Sequence, residues 1–391
     1  MNILYIHQYF RTPSEGGAIR SYYIAQGMTH AGHHVEIISA HNKNDYIKKK
    51  IDGLSIHYLP VKYDNHFNFL RRLYSFLIFA HKAYHLSKKF KDIDVAYITS
   101  TPLTVGLTAI KLKRKTGVPY IFEVRDLWPE APIQLGIIKS SVFKYISRKF
   151  ELAVYKQASK IVALSPGTQE HVAKLVPERP VHFCSNMSDC EFFEKTAVKN
   201  VSLLKKHNIN DAFVISYFGA IGRVNALEYF LDLAKISNDA GLDIKFLMIG
   251  EGAMVDSLKK MAKSNYITNL EFIPHMNKYT LKDYLSITDA AFISFADFPI
   301  LEHNSPNKFF DAIASGKLVI VNTKGWIKEH IEKNKCGFYI DPKNPDHFPS
   351  KINPFFNEPR LAEFQKNARK LAENTFEKKK LIGNLMDFMM S

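Results

Sequence analysis

Asn304-Ser305-Pro306-Asn307-Lys308-Phe309-Phe310-Asp311-Ala312-Ile313-Ala314-Ser315-Gly316-Lys317 is the stretch on which the fold reading turns. Apolar runs suited to buried strands flank it at 290–294 and 318–321. Between them Ser305 or Pro306 opens a helix over 307–314, so the whole reads as strand, helix, strand. Lys308 falls in the first turn and Asp311 one turn later, on the same face. An ammonium beside free helix N–H groups suits a phosphate, and the carboxylate suits ribose hydroxyls. A solvated Lys–Asp helix pair is the plain alternative.

Outward from this unit the same rhythm continues. In the second half, strands are expected at 214–218, 245–249 and 270–273, with helices at 226–238, 253–263, 279–287 and 327–333. The first half alternates likewise, with strands at 2–7, 35–40, 95–99, 120–123 and 160–164. Its helices are expected at 18–31, 68–90, 103–115, 140–157 and 167–175, with Gly32 and Gly117 just past two of the helix ends. A break over 176–195 reads as a linker, and 391 residues are too many for one core. The expectation is α/β: two doubly wound Rossmann-like domains split near residue 185 with a cleft between them. Residues 364–390 are helix-permissive, with Leu381, Leu385, Met386 and Met389 near 3.6 spacing.

Composition is ordinary for a globular chain, at 46% hydrophobic and 23% charged. No window reaches the roughly 18 uncharged apolar residues of a spanning helix, and the N-terminus reads as a first strand rather than a signal peptide. Cys184, Cys190 and Cys336 have no zinc-ligand spacing and read as free thiols in a reducing cytoplasm. The net charge is +15, of which +13 lies in residues 1–180 and +2 in the rest. Such asymmetry points to a polyanion, either nucleic acid or anionic lipid, facing the first half alone.

Three further segments carry chemistry. Glu15-Gly16-Gly17-Ala18-Ile19-Arg20 opens a helix after the first strand, where paired glycines let backbone N–H groups approach a phosphate. A plain turn needing positive φ explains it equally well. It is not GxGxxG and no acidic ribose ligand follows, which disfavours a dehydrogenase. Tyr217-Phe218-Gly219-Ala220-Ile221-Gly222-Arg223-Val224-Asn225 follows a strand: Gly219 leaves room for a diphosphate and Arg223 supplies a forked donor. Val124-Arg125-Asp126-Leu127-Trp128-Pro129-Glu130 stands at a strand's C-terminal end, where doubly wound sheets place ligands. A Trp beside carboxylates suits a sugar, and a loop salt bridge with a half-buried Trp is its alternative.

Together with Gly32-His33-His34-Val35, Ser165-Pro166-Gly167, Ile249-Gly250-Glu251-Gly252 and Asp311 to Gly316, these segments resemble family 4 of the retaining glycosyltransferases, which have the GT-B fold. The Arg125–Glu130 and Ser305–Lys308 segments are similar to one branch, the transferases of N-acetylated amino sugars such as N-acetylfucosamine in O-antigen and capsule synthesis. The resemblance implies an acceptor-side domain over 1–184, a nucleotide-sugar domain over 185–365 and a helix over 366–391 returning to the first. It implies a UDP-sugar donor, with the base against Pro274-His275-Met276, the diphosphate on Arg223 and Lys308 beside Asn307, and the ribose on Asp311. Gly17 would approach the diphosphate from the other domain. The family motif has two glutamates with seven residues between them; here Asp311 holds the second place and His303 the first, with Glu302 beside it. On the acceptor side it implies Arg20, Arg125, Asp126, Trp128 and Glu130, with Asp126 orienting the attacking hydroxyl. The chemistry implied is front-face transfer with retention, in which Arg223 and Lys308 neutralise the leaving diphosphate and no metal or other cofactor takes part.

The implied acceptor is a polyprenyl-diphosphate-linked sugar, which would bring the first domain to the inner face of the cytoplasmic membrane. The aromatic and basic segment from His66 to Lys91 suits an interfacial amphipathic helix, or equally a core helix with a basic outer face. Two rival functions remain: a UDP-sugar 2-epimerase of the same fold, and a basic nucleic-acid binder. For the latter no recognisable binding module appears, and nucleic acid is not the expected partner.

Overall fold

The computed structural model describes residues 1–15, 19–64, 67–194 and 198–391. The chain divides into two compact units. The first holds Met1–Thr12, Gly17–Ser185 and Lys379–Ser391; the second holds Pro13–Gly16 and Asn186–Lys378.

The first unit is built on an eight-stranded sheet in the order β3-β4-β2-β1-β5-β6-β7-β8. Its strands are β1 Asn2–Ile6, β2 His34–His41, β3 Ile47–Ile51, β4 Leu54–Pro60, β5 Val95–Thr99, β6 Tyr120–Val124, β7 Lys160–Ala163 and β8 Val181–Phe183. All pair in parallel except β3, which runs antiparallel to β4. The central strands β5 and β6 are buried along their whole length, as expected of a parallel sheet covered on both faces.

The second unit carries a six-stranded parallel sheet in the order β11-β10-β9-β12-β13-β14. Its strands are β9 Phe213–Ala220, β10 Ile244–Glu251, β11 Leu270–Ile273, β12 Ala290–Ile293, β13 Leu318–Val321 and β14 Gly337–Tyr339. Phe230, from the helix Glu228–Asp239, stacks on Phe292 at 5.2 Å and meets Phe246 edge-on, also at 5.2 Å. One aromatic thus joins three elements in the core. No helix among the described residues is long and apolar enough to cross a membrane.

Several local expectations are corrected. The β3–β4 hairpin lies where no strand was expected. Ile47-Lys48-Lys49-Lys50-Ile51 lacks the alternation of a half-buried strand, and at a sheet edge its exposed lysines discourage further pairing. The presumed linker contains β8, an edge strand with no fully buried residue to mark it. The helix expected over 364–390 is broken. Glu358–Leu371 gives way to a π turn at Ala372–Phe376, and a new helix runs Lys378–Met390. Within the first unit that last helix is held by Lys160, whose Nζ donates to the Phe388 carbonyl at 2.7 Å, and by His182 stacked on Phe388.

Candidate functional site

Strand order reverses direction between β9 and β12, which places the second unit's ligand crevice at their C-terminal ends. Here β9 runs out through Gly219 and Ala220 beside the end of β10. A Cβ on Gly250 would lie 1.9 Å from the Gly219 carbonyl oxygen, so only glycine permits this approach. The chain then turns through the 3-10 segment Arg223–Asn225, leaving Arg223 exposed and Asn225 buried. The Ala296 N–H donates to the Val224 carbonyl at 2.9 Å and ties this turn to the loop after β12.

Lys308 reaches into this corner from the first turn of the helix Asn307–Ala314. Its Nζ donates to the Tyr217 hydroxyl at 2.6 Å and the Asn225 Oδ1 at 3.4 Å, and lies 3.9 Å from the centroid of the Tyr217 ring. The Tyr217 hydroxyl donates onward to the Ala220 carbonyl at 2.6 Å. Each of these partners is neutral, and Lys308 belongs to no ion pair among the described residues. Burial accordingly pushes its ammonium down to about 7. No side chain caps this helix, whose N-cap is Pro306, so its first turn adds positive potential at the same place. The preceding loop is fixed by Trp326, whose Nε1 donates to the Asn304 carbonyl at 2.9 Å, and by Asn186, whose N–H donates to the Ser305 Oγ at 3.3 Å.

Asp311 does not pair with Lys308. Its Oδ1 lies 3.4 Å from Lys278 Nζ, at the start of the helix Lys278–Ile287, and that ammonium sits 4.7 Å from the centroid of the Phe193 ring. Burial raises the Asp311 carboxyl and Asp189 adds to the rise, while Lys278 opposes it. The solvated Lys308–Asp311 pair considered above is therefore not formed, because each side chain turns to a partner on another element. Pro274 and His275 are exposed and Met276 is partly buried in the loop after β11. Glu302 and His303 lie in the 3-10 segment Pro299–His303, where Glu302 joins Asn322, Thr323 and Tyr339 around a small cavity of about 60 Å³. Asn307 is partly buried at the helix start. Gly17 lies outside the described residues.

In the first unit Asp126 is exposed just beyond β6, and its Oδ2 accepts from the Thr101 hydroxyl at 3.2 Å. The Arg125 N–H donates to the Ser100 Oγ at 3.0 Å. Trp128 is partly buried. Glu130 accepts from Arg148 at 3.0 Å and Gln134 at 3.2 Å; although burial raises its carboxyl, these bonds bring it net down. His7, buried at the end of β1, is held well below its ordinary value by burial and by Arg125.

Arg20 needs correction: it lies in the core, not at a surface. Its guanidinium pairs with Glu123 at 2.8 Å and also donates to the Ser185 carbonyl. Glu123 in turn accepts from Tyr97 at 3.1 Å and Thr99 at 3.0 Å. Arg20 is thus the counter-ion of a buried carboxylate on β6, and that carboxylate stays below its ordinary value because Arg20 and Arg125 outweigh the cost of burial. Sequence reasoning also missed Tyr217, Asn225, Lys278 and Asn186. Tyr217 and Asn225 stood inside a quoted motif, but nothing local showed that they would meet Lys308.

Comparison with known proteins adds the family context. Residues 14–192 match the model described as Glycosyltransferase Family 4, and residues 202–375 match Glycosyl transferases group 1. The chain is 21% identical over 264 residues to the probable glycosyltransferase WbjE of Pseudomonas aeruginosa, covering 66% of this chain and 65% of that protein. It is 24% identical over 355 residues to the capsular polysaccharide biosynthesis glycosyltransferase CapM of Staphylococcus aureus, covering 88% and 86%. Among solved structures, Anabaena Alr3699/HepE in complex with UDP-glucose superposes with a TM-score of 0.74 at 14% identity, covering 100% of this chain and 99% of that one. Sucrose-phosphate synthase from Thermosynechococcus elongatus superposes with a TM-score of 0.77 at 14% identity, covering 100% and 98%. The fold is GT-B.

Proposed function

We propose that this chain, whose halves match the Glycosyltransferase Family 4 and Glycosyl transferases group 1 models, is a retaining, UDP-sugar-dependent glycosyltransferase. The donor sugar in this reading is an N-acetylated amino sugar. The acceptor is a polyprenyl-diphosphate-linked sugar used in surface polysaccharide synthesis, met at the inner face of the cytoplasmic membrane. Lys308 is the observation that carries it: a desolvated ammonium with only neutral partners, at the strand-order reversal of the second unit. A partly buried cation without a counter-ion is costly, and a diphosphate supplies the missing charge.

The residues then divide the work. Lys308 and Arg223 take the diphosphate beside Gly219, Asn307 and the open helix N-terminus. Asp311 accepts from the ribose hydroxyls, Pro274-His275-Met276 faces the base, and Glu302 or its neighbour His303 contacts the donor sugar. As the glycosidic bond to UDP breaks, negative charge grows on the leaving oxygens, and fixed cations lower that barrier without a metal. Asp126 orients the acceptor hydroxyl for attack from the face the diphosphate leaves, assisted by Arg125, Trp128 and Glu130, and the leaving oxygens take the hydroxyl proton. Likeness to CapM, whose name places it in capsular polysaccharide biosynthesis, supports this substrate class.

The decisive experiment incubates the protein with a panel of UDP-sugars and a synthetic polyprenyl-diphosphate sugar, then reads product mass and anomeric configuration. A product heavier by one sugar, with the donor's configuration retained, is expected. UDP-sugar consumed without acceptor would make the chain an epimerase instead. Asp126→Asn should fold and bind donor normally yet lose turnover. Near wild-type turnover in that variant removes the loop after β6 from the site.

A further inference from the structure

The helices Phe69–Ser87 and Ser141–Gln157 are far apart in sequence, yet their first turns meet where Phe69 packs edge-on against Phe143 at 6.0 Å. Around that contact Leu70, Tyr74 and Leu77 line one helix, and Val142, Tyr145 and Ile146 the other. Each of these six is between 43% and 73% exposed. Their spacings, i, i+4, i+7 and i, i+3, i+4, give each helix one apolar stripe. The two helices are anchored elsewhere. The first buries Phe76, Phe79, Ala80 and Ala83, while the second buries only Glu151, Val154 and Tyr155 near its C-terminal end. No residue of 141–150 is fully buried, and Val142, Tyr145 and Ile146 stay exposed while Phe143 packs on Phe69. Scattered apolar residues on a surface need no explanation, but two exposed stripes on helices whose first turns touch at Phe69 and Phe143 do.

Charge identifies what covers it. No Asp or Glu occurs in 67–91 or in 131–150, and Arg71, Arg72, Lys139, Lys144 and Lys149 flank the stripes, while Arg148 pairs with Glu130. Two copies of so uniformly positive a face repel each other, whereas anionic headgroups are attracted to it. We propose that the exposed stripes of these two helices form one bipartite membrane-docking face, which inserts its six apolar side chains among the acyl chains of an anionic bilayer. The inference rests on the lipid-linked acceptor proposed above and adds where the bilayer is met. The segment from His66 to Lys91 supplies only half of the face; the other half comes from a helix that gave no membrane signal in the sequence.

The test uses the full-length protein, floated with phosphatidylcholine vesicles with and without phosphatidylglycerol across a salt series. Wild type should bind only where phosphatidylglycerol is present, and less so as salt rises. Val142→Ser/Tyr145→Ser/Ile146→Ser should bind about tenfold or more weakly at fixed charge, since it removes insertion and leaves attraction intact. Arg71→Glu/Arg72→Glu should lose the dependence on phosphatidylglycerol. Both variants alter exposed or half-exposed side chains, and turnover on a short-chain soluble acceptor should stay near wild type and report the fold. Wild-type vesicle binding by the serine variant overturns the bipartite face. So does a concentration-dependent dimer in the absence of vesicles that the serine variant abolishes, because it assigns the face to a second copy. A wild type that binds vesicles but transfers to no acceptor leaves the docking face standing and overturns the proposed reaction instead.

Discussion

Lys308 shows how much chemistry one partly buried charge can report. Its ordinary value of 10.5 falls to about 7 through burial, so the unfolded chain binds the proton more tightly than the folded one. The group therefore costs the ligand-free fold stability below about pH 10, and the cost levels off once pH falls beneath about 7. An anion bound beside it offsets that cost by pulling its value back up. UDP binding should then take up a proton near pH 8 and weaken as pH rises, which calorimetry in buffers of differing ionisation enthalpy detects. Lys308→Ala should abolish that uptake and cost about tenfold or more in UDP affinity, as expected for one charge-assisted hydrogen bond worth roughly 1.5–3 kcal/mol. Unchanged affinity takes the residue out of the site. The sequence made Lys308 visible through its place at a helix start, but its neutral partners were not, because Tyr217 lies on β9, a different element.

At the scale of elements, β6 and the helix Arg20–His30 are joined through the Arg20–Glu123 pair, which shapes the interior of the first unit. Removing one partner of a buried ion pair leaves the other charged and unsatisfied. Glu123→Gln should thus destabilise by about 3–5 kcal/mol, seen as a lower urea midpoint at unchanged slope. Had Arg20 been a surface contact to the acceptor, altering its partner would have changed acceptor KM and little else. Sequence pattern could not separate these outcomes, since an arginine at a helix start looks the same whether it faces water or a buried carboxylate. The β3–β4 hairpin was hidden for a related reason. An edge strand of lysines has no alternation, and its pairing depends on β4 being present beside it.

For the whole molecule, two sheets with separate cores imply that unfolding need not be a single step. Calorimetry should resolve two transitions. Because Arg223, Lys308, Asp311 and the loop after β11 all belong to Asn186–Lys378, UDP at about a hundred times its Kd should stabilise that unit by about 2.7 kcal/mol and move its transition upward. An equal shift in both transitions, or in the other alone, would contradict the assignment of the donor residues.

The sequence by itself determined the alternation of apolar strands and amphipathic helices, the two α/β halves, and the glycine and helix-start positions where a diphosphate fits. These are legible because periodicity and turn chemistry act over a few residues. It also determined the excess of positive charge in the first half, which is a sum over side chains and needs no geometry. Tertiary structure alone decided which side chains meet: Lys308 with Tyr217, Asp311 with Lys278, Arg20 with Glu123, and Phe69 with Phe143. Each pair joins different elements, and strand order and helix packing set their neighbours. A charge or an aromatic ring carries no local mark of whether its eventual partner will be an ion, a dipole, a second ring or water.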